Sequence, residues 1–431
     1  MTVPVVVEVT NTVSLPYTTG YQRVVRSVLN GLDGPAGNDL DVVPVINTPE
    51  IGDYRRLTAG EMERLRTHPP GGRARRRADG FGPLAPVVRS VADLPVTRAT
   101  RSSLALRRRR RALTPEIRSL TIGLPPIGSV WFDLEPGWQA PEHRADLLPR
   151  LRASGVHTAA LITDVAPELF PEWVEADRRR RFGEWLRAHL VGTELFLCIS
   201  ECTEQDLHRV AAAHGLTERL PTAVIPLGAD FPVPEPVPVQ MPPDVDRYLL
   251  VVGTVEPRKN QRLVLDAFDR LSRRHPDLGL VLVGKEGRMA EQTVSDLRAH
   301  PLFGQRLRWL EGVDDAQLAW LYQHAFLVVA PSRYEGLGVP VMEALHHGCA
   351  TISSTGGALV EAGGGRVEEI DPDDLDGLTV AIERHLLDPV HHRAARERSS
   401  GYEAPTWADT ARAVGDALRE LAATPPPISP H

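Results

Sequence analysis

Two glutamates, Glu335 and Glu343, stand eight positions apart across a turn that holds two glycines. An apolar run at 326–330 predicts a buried strand before this turn, and Pro340 predicts the first turn of a helix after it. Backbone N–H groups at a helix N-terminus attract an anion. Carboxylates accept hydrogen bonds from hydroxyl groups. The spacing therefore predicts a site for a ligand with hydroxyls, such as a sugar or a ribose, beside an anionic group.

A pair of cations, Arg258 and Lys259, follows another predicted strand at 248–253. The chain has 49 lysines and arginines, but only two of them are lysines, Lys259 and Lys285. A lysine kept in so arginine-rich a chain indicates a position where a compact ammonium is needed. Arg258 and Lys259 together could hold a diphosphate, the arginine by a fork of hydrogen bonds and the lysine as a point charge.

The first half of the chain offers polar candidates at the ends of its own predicted strands. Gly20 lies in the predicted turn before a helix that begins at Arg23, where a glycine lets a ligand approach the backbone. Gln22 adjoins it. Asp164 follows a strand at 158–162 and could either contact a ligand or cap the next turn.

Strands and helices alternate in both halves, which predicts an α/β fold with two doubly wound parallel sheets. Between the halves, residues 231–246 contain six prolines and are predicted to be an extended linker. We therefore expect a first domain at 1–230 and a second at 247–400. A capped helix at 401–423 and a polar, proline-rich tail at 424–431 follow them. Ligands of such sheets bind at the carboxyl ends of the strands, so the site is expected between the domains.

Residues 54–112 have a different composition from the rest of the chain. They contain sixteen arginines and four acidic residues, although the whole chain carries a net charge of −7. Prolines and glycines within the segment favour a loop or a mobile arm. It is either a solvated insertion or a surface that contacts anionic lipid or a pyrophosphate-bearing acceptor. No aromatic interleaving accompanies the basic runs, so no nucleic acid is expected as a partner.

The totals favour a water-soluble globular protein of two or three domains. Of the 431 residues, 42% are hydrophobic and 24% are charged, and no run of eighteen apolar residues occurs. Three cysteines are too few for a disulfide framework. The expected location is cytoplasmic, with peripheral contact at the inner face of the plasma membrane if the basic segment binds lipid.

Several stretches resemble family 4 (group 1) retaining glycosyltransferases, the group of bacterial polysaccharide and mannosyl enzymes with the two-domain GT-B fold. The string Ser-x-x-Glu-Gly-x-Gly-x-Pro-x-x-Glu-Ala at 332–344 is similar to their E-x7-E signature. Gly-Thr-x-Glu-Pro-Arg-Lys-Asn at 253–260, Ile-Ser-Glu at 199–201 and the Trp407 helix match in the same order. The resemblance covers about 1–50 and 129–420.

The resemblance implies transfer of a hexose from a GDP- or UDP-linked sugar to an acceptor hydroxyl of a saccharide, a lipid-linked glycan or a secondary metabolite. It implies that Glu343 binds the ribose and Glu335 the sugar, while Arg258 and Lys259 stabilise the leaving diphosphate. The other donor-side residues that it implies are Gly336, Leu337, Gly338, Gly312, Val313, Lys285 and Gly20. Those on the acceptor side are Asp164, Gln22 and Arg23. Neither a metal nor another cofactor is expected, and retention would proceed by front-face attack.

Two departures from the family pattern leave other functions open. Thr163 stands where the family usually has histidine, and Thr254 where it has arginine. A GT-B nucleotide-sugar epimerase or phosphorylase is one alternative. A catalytically inactive member that acts as a binding protein is the other.

Overall fold

Two β-sheets covered by helices make up the part of the chain that the computed structural model describes, residues 2–14, 20–48, 53–67, 119–135, 137, 141–230 and 235–427. The first sheet has the strand order β3-β2-β1-β4-β5-β6-β7, and only the β2–β3 pair is antiparallel. Its strands are β1 Val3–Glu8, β2 Leu40–Thr48, β3 Asp53–Arg56, β4 Val130–Asp133, β5 His157–Ile162, β6 Leu195–Cys198 and β7 Thr222–Val224.

The helices of this first half cover both faces of its sheet. Every residue of β5 is buried, as expected for a parallel strand with helices on both sides. The helices are α1 Thr10–Ser14, α2 Gly20–Leu32, α3 Ala59–Arg66, α4 Pro141–Ala153, α5 Ala166–Leu169, α6 Ala176–Gly192 and α7 Glu201–Ala213.

The second sheet is wholly parallel and has the order β10-β9-β8-β11-β12-β13. Its strands are β8 Arg247–Val252, β9 Leu278–Val283, β10 Leu307–Leu310, β11 Leu327–Ala330, β12 Thr351–Ser354 and β13 Glu368–Ile370. Its helices are α8 Gln261–Ser272, α9 Glu291–Ala299, α10 Asp315–His324, α11 Val339–His346, α12 Leu359–Gly363, α13 Leu375–Leu387 and α14 Pro389–Ser399. The doubly wound architecture predicted from the sequence is confirmed in both halves.

Each sheet reverses its strand order at one place, between β1 and β4 in the first and between β8 and β11 in the second. Ligands of open α/β sheets bind outside the carboxyl ends of the strands at such a switch point. The segments that follow β8 and β11 carry Arg258, Lys259 and Glu335, so the fold itself brings these three residues together.

The final helix, α15 Trp407–Ala423, packs against the first half of the molecule. Its Thr410 hydroxyl accepts from the Gly228 amide at 2.9 Å, and a Cβ added at Gly31 of α2 would overlap the Ala411 methyl. Because Gly31 and Ala411 are small, the two helices can approach closely.

The basic segment is partly folded, which corrects the expectation that 54–112 is a loop or an arm from its start. β3 and α3 lie within it, and Arg55 is buried with both guanidinium nitrogens 2.8 Å from the Glu61 carboxylate. This pairing lowers the pKa of Glu61 to about 2, although burial opposes the shift. The densest arginine runs, 73–77 and 107–111, lie outside the described residues.

Three smaller details refine the sequence predictions. The helix expected from Arg23 begins at Gly20, so Gly20 and Gln22 lie in its first turn rather than in a loop. The described part of the linker, 235–246, runs over the second half, where the Val237 amide donates to the Ala316 carbonyl at 3.1 Å. No helix in the described ranges is long and apolar enough to cross a membrane.

Candidate active site

A buried carboxylate with two cationic partners lies at the switch point of the second sheet. One Glu335 oxygen lies 2.7 Å from Arg258, and the other lies 2.5 Å from the Lys259 ammonium and accepts from the Ser332 hydroxyl at 2.6 Å. Glu335 is 7% exposed. Burial by itself raises the pKa of Glu335, but Arg258 and Lys259 outweigh it and lower the pKa to about 2. The side chain is therefore ionised at neutral pH.

The local chain conformation holds this cluster in place. Pro257–Lys259 forms a single 3-10 turn that ends at Asn260, whose backbone is left-handed with φ 54°. The Asn260 amide donates to the carbonyls of Pro331 and Pro372 at 3.1 and 2.7 Å, which ties the turn to the segment after β11. Asparagine tolerates this backbone conformation better than most residues.

Arg258 makes two further contacts besides Glu335. Its guanidinium donates to the Tyr334 carbonyl and to Glu256, each at 2.9 Å. Burial disfavours the charged form, yet Glu335 and Glu256 raise the pKa of Arg258 above its usual value. Two cations and two carboxylates thus balance one another in this cluster.

The glycine turn before α11 contacts the first half of the molecule directly. The Gly336 carbonyl accepts from the Ser200 and Thr203 hydroxyls at 2.5 and 2.9 Å. A Cβ added at Gly336 would overlap the carbonyl oxygen of Thr163. The absence of a side chain at Gly336 therefore permits the two halves to approach this closely.

The neighbours of Gly336 have different environments. Gly338 is the N-cap of α11, with φ 100°, and lines a small cavity together with Lys259 and Glu335. Leu337 is 7% exposed and belongs to an apolar core that includes residues of both halves. Leu337 is therefore a core residue, whereas Gly338 lies beside Lys259.

Glu343 faces the first half from the buried side of α11. Its carboxylate accepts from the Tyr322 hydroxyl at 2.8 Å and lies 3.4 Å from Arg23 of α2. Burial raises the pKa of Glu343 to about 7, although Arg23 and Tyr322 oppose this shift. Arg23 also pairs with Asp315 at the start of α10. Glu343, which was predicted to bind the ribose, therefore contacts Arg23, which was predicted for the acceptor side.

The remaining predicted residues are spread along the same edge of the sheets. Asp164 is half-buried after β5, and a Cβ added at Gly336 would lie 3.1 Å from the Asp164 Cβ, beside the cation cluster. Burial raises the pKa of Asp164, while the charge of Arg258 lowers it. Lys285 follows β9, and burial lowers the pKa of its ammonium while Glu256 raises it. Gln22 is 6% exposed within α2, and Gly20 is exposed at the start of that helix.

Gly312 and Val313 lie farther from the cluster. They occupy the loop after β10, the outermost strand of the second sheet, and Gly312 is exposed with φ 74°. Strand β9 separates β10 from β8. The structure brings together Glu335, Arg258, Lys259, Gly338 and Asp164, but it leaves Gly312 and Val313 at the edge.

A second polar cluster, at the switch point of the first sheet, was missed by the sequence analysis. Arg144 is 1% exposed and lies between Glu8 of β1 and Asp133 of β4, at 2.8 Å from the latter. Glu135 accepts from the amide and the hydroxyl of Thr12 at 3.0 and 2.6 Å. Burial raises the pKa of Asp133 to about 8 and that of Glu135 to about 7. The available signal was an acidic residue at the end of each of two apolar strands.

Contacts across the cleft connect the two halves at several points. The Tyr334 hydroxyl donates to Asp206 at 2.8 Å, and Arg288 lies 2.6 Å from Glu175. The Glu361 carboxylate accepts from the Glu201 amide at 3.1 Å. The molecule is therefore closed, with the glycine turn of the second half against the loops after β5 and β6 of the first.

Two facing doubly wound sheets with a closing C-terminal helix define the GT-B class of fold. A sucrose-phosphate synthase from Thermosynechococcus elongatus is similar over 97% of this chain and 99% of its own, with a TM-score of 0.63 and 18% identity. The prediction of a GT-B fold is confirmed.

Sequence comparison finds relatives that match mainly the second half of the chain. Residues 238–400 match the family described as "Glycosyl transferases group 1". A serotype-specific mannosyltransferase WbdA of Escherichia coli is 30% identical over 207 residues, which are 45% of this chain and 25% of that protein. An O-antigen chain mannosyltransferase B, also of Escherichia coli, is 29% identical over 245 residues, which are 54% of this chain and 61% of that protein. The matched part of the chain thus spans about a quarter of the length of WbdA and about three fifths of the length of the O-antigen chain mannosyltransferase B.

Proposed function

We propose that this protein is a hexosyltransferase that uses a nucleotide diphosphate sugar as donor. The observation that carries the proposal is the buried Glu335 carboxylate held between Arg258 and Lys259 at the switch point of the second sheet. This site faces the first half, so a donor bound there would present its sugar to an acceptor held by the other sheet.

The diphosphate is the part of the donor that fits the two cations. Lys259 is 14% exposed and Arg258 is 22% exposed at their side chains, so both can turn from Glu335 to an incoming anion without being fully solvated. Charge-assisted hydrogen bonds are stronger in such a water-poor site. As the sugar–phosphate bond breaks, negative charge grows on the diphosphate, and this pair would stabilise it. The amide groups of Gly336 and Gly338 would add to this effect at the start of α11.

The two glutamates would take the hydroxyl groups of the donor. Glu335, freed from one cation, accepts from the sugar, and Glu343 accepts from the ribose. Because Arg23 contacts Glu343 in the closed molecule, donor binding would have to displace Arg23. The displaced guanidinium would remain near the acceptor side, next to Gln22 and opposite Asp164.

We further propose mannose as the transferred sugar and a saccharide or lipid-linked glycan as acceptor, because the matched Escherichia coli relatives are named mannosyltransferases. Transfer would proceed with retention, and no metal would be needed at the diphosphate because Arg258 and Lys259 supply the positive charge there.

The decisive experiment incubates the purified protein with GDP- and UDP-linked sugars and measures the released nucleotide and the mass of added acceptors. A hexose-sized mass increase on an acceptor supports the transferase. Isomerised donor would indicate an epimerase, and phosphate-dependent release would indicate a phosphorylase. Binding of nucleotide without release of nucleotide from any donor would indicate the inactive binding protein.

Glu343→Ala tests the ribose contact within this proposal. We expect it to weaken binding of the bare nucleoside diphosphate about tenfold, because it removes hydrogen bonds to ribose hydroxyls. Isothermal titration calorimetry measures the affinity. Glu335→Gln should chiefly slow transfer, because its contact with the sugar matters most in the transition state.

The control for Glu343→Ala is Glu184→Ala, which removes a partly exposed carboxylate that pairs with Arg180 on α6. It should bind the nucleotide like wild type. Unchanged nucleotide affinity in folded Glu343→Ala would show that Glu343 does not bind the ribose.

A peripheral membrane contact through the basic segment belongs to the same proposal. Each basic side chain near an anionic surface contributes about 1 kcal/mol, and salt screens the attraction. Replacing Arg107 to Arg111 with serine should therefore reduce sedimentation with phosphatidylglycerol vesicles at low salt and leave donor hydrolysis unchanged. Equal sedimentation of variant and wild type, or sedimentation that does not change with salt concentration, would rule this contact out.

A further inference from the structure

A cluster of one carboxylate and two imidazoles lies at the edge of the second sheet, away from the candidate active site. Glu368 opens β13, His385 lies near the end of α13, and His391 lies in the first turns of α14. One Glu368 oxygen, Oε2, is 3.3 Å from His385 Nε2 and 3.0 Å from His391 Nε2. All three atoms lie within 4.8 Å of one another.

His385 is the residue that calls for an explanation. It occupies the buried face of α13 together with Leu378, Ala381 and Ile382, and its side chain has no exposed surface. Its Nε2 atom lies 3.3 Å from Glu368 Oε2, but the two groups are not aligned as a regular hydrogen bond. A buried polar nitrogen with only a poorly aligned partner costs free energy, so a group that satisfies it better would stabilise the fold.

We propose that Glu368, His385 and His391 bind a divalent transition-metal ion, with Zn²⁺ as the preferred ion. Ligands about 2.0 Å from a tetrahedral zinc lie roughly 3.3 Å from one another. The two glutamate–histidine separations, 3.0 and 3.3 Å, agree with this geometry. Two imidazole nitrogens and one oxygen suit zinc better than magnesium or calcium, which prefer oxygen ligands.

The surroundings of the cluster also fit an ion. His391 and Glu368 keep 24% and 19% of their side-chain surface exposed, which leaves a path for the ion and room for a water as fourth ligand. The other ring nitrogen of His385, Nδ1, lies 3.2 Å from His392 Nδ1. A hydrogen bond from His385 Nδ1 to His392 Nδ1 would fix the His385 tautomer in which Nε2 is free to bind metal.

The role of the ion would be structural. Its three ligands come from β13, α13 and α14, so it would clamp two consecutive helices to an edge strand. Strands β11 and β12 separate β13 from β8, which puts the ion roughly 14 Å from that strand at about 4.8 Å per strand. It would not touch the donor, and the diphosphate chemistry proposed above does not depend on it.

The test titrates the metal-stripped full chain with Co²⁺ and follows visible absorption, then displaces Co²⁺ with Zn²⁺. We expect one equivalent bound in a four-coordinate environment and a higher melting temperature with Zn²⁺. His391→Ala and Glu368→Gln change half-exposed residues that should not prevent folding. Each should weaken binding at least a hundredfold, whereas His392→Phe, which removes only the supporting acceptor, should weaken it about tenfold to a hundredfold.

His275→Ala is the matched control, because His275 lies near the same helix but pairs with a single carboxylate, Glu383, at 3.4 Å. It should bind the metal like wild type. The proposal is overturned if wild type shows no four-coordinate Co²⁺ spectrum, or if His391→Ala and Glu368→Gln bind the ion as tightly as wild type does. Either result would leave the cluster as a hydrogen-bonded group of side chains. Absence of donor turnover in the wild-type protein would contradict the proposed transferase function but would not affect the proposal of a metal site.

Discussion

Lys259→Ala is expected to reduce kcat/KM about thirtyfold to a thousandfold, equivalent to about 2–4 kcal/mol of transition-state stabilisation. The Lys259 ammonium lies at the buried carboxylate where the leaving diphosphate is proposed to bind. The variant should fold, because Glu335 keeps its contacts with Arg258 at 2.7 Å and with Ser332 at 2.6 Å. Steady-state release of nucleotide, with circular dichroism as a folding check, measures the effect.

Two further variants separate charge from position. Arg262→Ala removes a nearby cation at the start of α8 that pairs with Asp266 and is half-exposed, so turnover should stay within about twofold of wild type. Lys259→Arg keeps the charge but replaces a compact ammonium with a planar fork, and we expect it to recover only part of the activity. Near wild-type turnover in folded Lys259→Ala would contradict the role of this lysine.

Gly336→Ala should lower kcat/KM at least about a hundredfold, because displacements of about 1 Å near the reacting groups cost that much. The added methyl would overlap the Thr163 carbonyl, and the Ser200 and Thr203 hydroxyls already hold the Gly336 carbonyl in place. The glycine turn and the first half would therefore have to separate, which moves the donor site away from the acceptor side. Steady-state rates at several donor concentrations below and above KM, with saturating acceptor, measure the loss of kcat/KM.

Gly60→Ala is the control for this change. Gly60 lies inside α3, and a Cβ added there meets no atom within 4 Å. Alanine favours a helix over glycine by about 1 kcal/mol, so this variant should be as active as wild type and slightly more stable. If Gly336→Ala turned over like Gly60→Ala, the close contact at Gly336 would not be needed for activity.

Much of the fold could be predicted from the sequence because its strands are short apolar runs and its helices have caps and periodic apolar faces. The strand predicted at 248–253 is Arg247–Val252, and the strand predicted at 326–330 is Leu327–Ala330. Local patterns of this kind depend on neighbouring residues only. The grouping of Arg258, Lys259 and Glu335 is not local, but it follows from the fold class, because the carboxyl ends of parallel strands lie at one edge of the sheet.

Features that depend on distant residues could not be predicted in this way. The composition of 54–112 indicated a loop, but Arg55 and Glu61 pair within a folded strand and helix. A count of charged residues does not show which of them form a buried ion pair, as Arg55 and Glu61 do. Arg144 likewise gave no signal among 49 basic residues, since its contacts with Glu8 and Asp133 join three separate elements.

The sequence by itself determined the two doubly wound sheets and the identity of the charged groups at their carboxyl edges, because strand periodicity and glycine turns are local properties. Only the tertiary structure decided what those groups contact. It placed Arg23 against Glu343, the Gly336 carbonyl against Ser200, and His385 beside Glu368. The physical reason is that each of these contacts joins residues far apart in the chain, so it forms only when the packed elements bring them within hydrogen-bonding distance.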